Sequence, residues 1–165
     1  MAAKTLNDLF VDELRDIFNA EKQLVKALQQ MSKKANSDGL KEAFNNHLKE
    51  TENHIERLKQ VFGEINRPVK EKTCDAMKGL IEEGKKIMES FDKSPSIDAA
   101  LISAAQKVEH YEIASYGTLR TYAEQLGFNK AASLLQSNLD EESKTNEKLT
   151  SLAMEGINTE AIAGH

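Results

Sequence analysis

Four long stretches of this chain repeat apolar residues every three to four positions, and none alternates with a period of two. That spacing lines one face of an α-helix and gives a strand no apolar side, so the chain must fold as packed helices. The first stripe is Leu6, Phe10, Leu14, Ile17, Leu24, Leu28 and Met31; the second is Leu40, Phe44, Leu48, Ile55, Leu58 and Phe62. Breaks fall at NSDGL (36–40), GEINRP (63–68), KSPSID (93–98) and GFNK (127–130), runs that stop one helix or start the next. Thr5 or Asn7 can cap the first helix, with Asp8 and Asp12 near its positive end. Helices are predicted at about 5–36, 39–62, 73–91, 96–126 and 129–155, with a tail fraying from Gly156. The third is the weakest, since Gly79 and Gly84 interrupt it.

Short turns join the first long helix to the second and the third to the fourth, which makes each pair antiparallel. The middle connection is long and carries the short fifth helix, so the two pairs are joined by a crossover. An all-α, ferritin-like four-helix bundle follows, as a single domain over residues 1–165. A shift of 91 residues lays Ile17 on Val108, Glu21 on Glu112, Phe44 on Leu135 and Leu58 on Leu149. The frame is constant, so the chain reads as two αα-hairpins related by an approximate two-fold axis.

Each long helix breaks its apolar stripe near the middle. Glu21 interrupts the first; His47, Thr51 and His54 lie on the second, with Glu50 flanking; Glu109 and Glu112 sit on the third and Glu142 on the fourth. Counted from the turns near Ser37 and Gly127, these residues lie at similar heights at ~1.5 Å per residue, so they form one layer across the bundle. Buried carboxylates in such number need protons, cationic partners or metal ions. No Lys or Arg lies on those stripes at that level, because Lys22, Lys26 and Lys144 fall off them. His47 and His54 add neutral nitrogen donors. Mixed carboxylate and imidazole ligands suit two divalent cations, iron or manganese first and zinc as an alternative.

Several acids read as ordinary. Glu83, Glu141 and Glu147 fall on solvated faces, and His110 points outward. Tyr111 and Tyr116 read first as packing residues and second as hydrogen-bond partners of a ligand. The lone Cys74 forms no internal disulfide and reads as a buried apolar side chain. Lys and Arg number 22 against 27 Asp and Glu, without a basic stripe, which argues against nucleic acid as a partner. No apolar run reaches the ~18 residues of a membrane span, and MAAKTLNDLF lacks a signal core; a cytoplasmic protein is expected.

The runs AEKQL (20–24), HLKET (47–51), VEHYEIASYGTL (108–119), AEQLG (123–127) and LDEE (139–142) resemble the YciF-type bacterial stress protein family. This is a domain-of-unknown-function branch of the ferritin-like superfamily. The resemblance implies a homodimer with a rubrerythrin-like dinuclear metal centre at Glu21, His47, Glu50, Glu109, Glu112 and Glu142. The usual Glu-x-x-His pattern is not kept: helix two offers His47-x-x-Glu50 and then His54, and helix four has Thr145 where a histidine is expected. The expected function is a di-iron carboxylate protein of oxidant defence, acting on O₂ or peroxide. The alternatives are metal storage and a metal-free bundle that binds partners.

Overall fold

The structure, a computed structural model, describes residues 3–163. Helix α1 spans Leu6–Lys34, α2 Asp38–Glu64, α3 Asp75–Ser90, α4 Ile97–Gln125 and α5 Asn129–Leu152. There is no strand among the described residues. Thr5 starts α1 with a capping box: its hydroxyl accepts from the Asp8 amide while the Asp8 carboxylate accepts from the Thr5 amide. Ser37 caps α2 through the Leu40 amide. Just past α4, Gly127 turns the chain at φ +79°, and the Phe128 amide donates back to the Ala123 carbonyl. At the end of α2 the left-handed position is taken by Asn66, at φ +52°.

Around the bundle the order is α1, α2, α5, α4, each long helix packing on its two neighbours, while α3 lies outside across α1 and α4. The carboxylate of Asp98, in the first turn of α4, accepts from the amides of Asn36 and Ser37, both at 2.7 Å. Helices α2 and α4 therefore begin at the same end and run parallel, as the long crossover requires. The bundle is the ferritin-like one expected.

Its core is aliphatic and aromatic on both sides of a polar waist. Phe10, Leu14, Ile17, Phe44, Leu58, Leu119, Leu135 and Leu149 are almost wholly buried. The tail differs from expectation. It does not fray at Gly156: a π-helical turn, Ala153–Ile157, leads into α6, Asn158–Ala163, and Ile157 is buried. That apolar contact ties the segment down where the glycine alone suggested an end. No helix among the described residues is long and apolar enough to cross a membrane.

Candidate metal centre

The polar waist is sealed. Glu21, His54, Glu112 and Glu142 are 0% exposed, Glu109 1% and His47 2%. Six donor side chains from all four long helices are thus withdrawn from water, on helices whose other inward residues are mostly apolar, Thr51 and Asn138 being buried exceptions. Glu109 and His54 both lie inside, as their places on the stripes require.

Two groups converge within it. His47, Glu109, Glu112 and Glu142 place one ligand atom each within 4.8 Å of one another, and so do Glu21, His54 and Glu142. Glu142 belongs to both. Its Oε2 lies 3.7 Å from His47 Nε2 and its Oε1 2.9 Å from His54 Nδ1, so one carboxylate spans the two imidazoles. His47 Nε2 is also 2.8 Å from Glu109 Oε1, and His54 Nδ1 is 3.2 Å from Glu21 Oε1. Both oxygens of Glu112, one each of Glu21 and Glu109, and both of Glu142 are buried without a well-aligned hydrogen bond. Oxygens so orphaned are unfavourable in a protein interior unless a proton or a cation meets them. The donor set and its unmet lone pairs therefore fit divalent cations, and these buried groups are able to hold a metal ion.

Electrostatics tell the same story in protons. Burial pushes the Glu109 and Glu112 carboxyls well above the usual carboxylate range, with the Glu142 charge adding to it. Glu142 moves the other way, to about 2: burial opposes this, but Glu109 as a hydrogen-bond partner and the charges of both histidines outweigh it. Burial would lower His47 and His54, yet the surrounding carboxylates raise both, His54 to about 10. Without cations, protons hold this layer together.

A second ring of contacts aims the donors. Tyr116, fully buried, donates its hydroxyl to Glu21 Oε1 and sets its ring edge-on to His54. The Thr51 hydroxyl donates to the His47 carbonyl. Glu141, expected on a solvated face, instead lies 2.7 Å from His54 Nε2 and takes a two-pronged ion pair from Arg57. The arginine also donates to Asn138 Oδ1 at 3.0 Å. With Glu141 holding Nε2–H, the protonated ring donates Nδ1–H inward to the Glu21 and Glu142 carboxylates, and loss of that proton would leave Nδ1 free to bind a cation. A basic side chain does reach the edge of the layer, then, from a position the stripes had passed over.

Glu50 is set apart. It belongs to neither converging group, and its side chain is 40% exposed. Its Oε2 accepts from Thr145 Oγ1 at 3.2 Å and lies 3.6 Å from His47 Nδ1. Tyr111 points away from the centre, donating to Asp16 at 2.6 Å and meeting Cys74 Sγ at 3.0 Å. Cys74 is buried, as its composition-level reading had it, and it also caps α3. The internal repeat held the missing signal: the same 91-residue shift lays Glu50 on Glu141, His47 on Asn138 and Arg57 on Lys148.

Comparison with known proteins agrees with this architecture. The family described as Domain of unknown function (DUF892) matches residues 5–162. Protein YciF of Escherichia coli strain K12 is 51% identical over 162 residues, which are 98% of this chain and 98% of that protein. The crystal structure of the E. coli stress protein YciF superposes with a TM-score of 0.90, covering 94% of this chain and 99% of that one. YcfI of Rhodopseudomonas palustris gives a TM-score of 0.88 at 41% identity, covering 90% and 94%. A Xanthomonas campestris protein, at 20% identity and TM-score 0.76 over 96% and 97%, shares the fold. Matched from end to end in sequence and in structure, the chain belongs to the DUF892 family.

Proposed function

We propose that this chain is a dinuclear metal carboxylate protein of stress defence, with iron as the metal and O₂ or peroxide as the oxidant it consumes. The observation that carries the reading is Glu142, shared by two buried donor groups that each contain one histidine. Glu21 and His54 would hold one ion and His47, Glu109 and Glu112 the other, with Glu142 common to both groups. Bound iron would supply the electrons that reduce the oxidant. The chain's own part is to orient and to exclude. Tyr116 fixes Glu21, Glu141 fixes His54, and the apolar layers on either side keep bulk water from the waist. Manganese and zinc suit the same donors, and the test separates them.

In this role the protein would work in the cytoplasm, where a single thiol stays reduced, and as a homodimer. Light scattering should give the mass of two chains; a mass of many chains would turn the reading toward storage in a closed shell. Elemental analysis of protein purified without added metal should find about two ions per chain, with iron leading. Glu112→Ala should lose them, together with Fe(II)-dependent peroxide consumption. Metal content unchanged in that variant would count against the centre. Absence of metal from the wild type, even after anaerobic exposure to Fe(II), would leave a metal-free bundle whose work is to bind partners.

A further inference from the structure

The approximate two-fold axis gives the waist two corresponding edges, and they differ. At one edge Glu141 is clamped by Arg57 and touches His54 Nε2. The corresponding residues at the other edge are Glu50, Lys148 and Thr145. Here the clamp is missing: Lys148 makes no ion pair with Glu50 or with any other acid among the described residues. A cavity of about 340 Å³ opens instead between α2 and α5, with Ala43 and Thr145 in its wall and His47 at its inner end. Glu50 stands in this cavity, half in water and half on His47 Nδ1.

We propose that this cavity is the port through which divalent cations reach the buried centre, with Glu50 as the carboxylate that takes an ion from solvent and passes it to His47. The proposal rests on the dimetal reading above. The six inner donors are sealed from water, so any ion that fills them after folding needs a way in. At the clamped edge an incoming cation meets a guanidinium already committed to Glu141. At the open edge it meets a carboxylate whose partners are a hydroxyl and an imidazole. Neither partner is a permanently charged guanidinium: the hydroxyl is neutral, and the imidazole can give up its proton to an arriving cation. Lys144 and Lys148 also line the cavity, but each is exposed on a flexible stem and can swing aside.

The test is the rate of cobalt(II) uptake by metal-free protein, followed by the visible absorption of the bound ion, with final cobalt content measured separately. Two variants obstruct the port without touching an inner donor. Ala43→Leu fills the cavity, and Lys148→Arg rebuilds at Glu50 the clamp seen at Glu141. Each should load about tenfold more slowly than wild type, an added barrier of about 1.4 kcal/mol, and reach the same final content. Glu50→Gln, at a half-exposed position that leaves the fold intact, should also load slowly. Ser103→Leu, in a separate groove between α4 and the carboxy-terminal segment, should load at the wild-type rate. Wild-type rates in Ala43→Leu, Lys148→Arg and Glu50→Gln together would overturn the port while leaving the centre standing. A wild-type protein that takes up no cobalt, iron or manganese would overturn the centre itself.

Discussion

Glu112 is fully buried, and neither of its oxygens receives a hydrogen bond. Such a side chain destabilises the metal-free fold, so Glu112→Leu should stabilise the stripped protein by ~1–3 kcal/mol in urea unfolding. The same variant should lose the stabilisation that metal confers on the wild type. A variant less stable than wild type when stripped would mean that Glu112 already has a partner. The proton-held layer also dictates a pH dependence. The raised value of His54, from 6.5 to about 10, contributes stability fully present below about 6.5 and lost as pH rises through about 10. Glu109 and Glu112, raised as well, lose their favourable protonated state in the same direction. Glu142 acts at the other end: its contribution is present above 4.5 and lost as pH falls through about 2. Stripped protein should therefore lose a few kcal/mol between about pH 6.5 and about pH 10, and metal-loaded protein distinctly less. Equal urea midpoints for the stripped protein across that range would refute the proton-held layer.

Single contacts at helix ends fix how the elements meet. Asp98 accepts two backbone amides from the α1–α2 turn while sitting in the first turn of α4, so one carboxylate registers the first hairpin against the second. Asp98→Ala leaves both amides without that acceptor, and we expect a loss of ~1–3 kcal/mol from the urea midpoint. Asp98→Asn, which keeps one acceptor oxygen, should lose less. Gly127 is an independent check at the α4–α5 turn. Its surroundings leave room for a Cβ, so Gly127→Ala should lose only the ~1–2 kcal/mol of a left-handed alanine. A larger loss would point to a crowded turn. Helix α3, with Gly79 and Gly84, was the least certain element in the pattern, yet it forms. Met77 and Gly84 are buried against the bundle, and a Cβ added at Gly84 would meet Ala104 at 3.5 Å, an ordinary contact, so burial of this face and not the glycine itself holds the helix. The tail persists past Gly156 for a similar reason, because the buried Ile157 outweighs local propensity.

Across the whole molecule, two hairpins of matching pattern enclose a waist that is acidic where a simple bundle would be aliphatic. Metal that binds only the folded chain should stabilise it by ~2.7 kcal/mol when present at about 100 times its Kd. For a chain of this size that raises Tm by roughly 5–10 °C, measurable by scanning calorimetry before and after chelation. The sequence alone determined the helices, the ferritin-like order and the inward direction of Glu21, His54, Glu112 and Glu142. Those follow from a period of 3.6 residues and from distances counted along a helix of fixed rise, which are local quantities. Only the tertiary structure decided that Glu141 turns in to His54, that Arg57 clamps it, and that Glu50 stands outside at an open edge. These three residues lie at the margins of their helix faces. There a rotation of a few tens of degrees separates buried from solvated, and the packing of the neighbouring helix, which no single stripe encodes, selects between them.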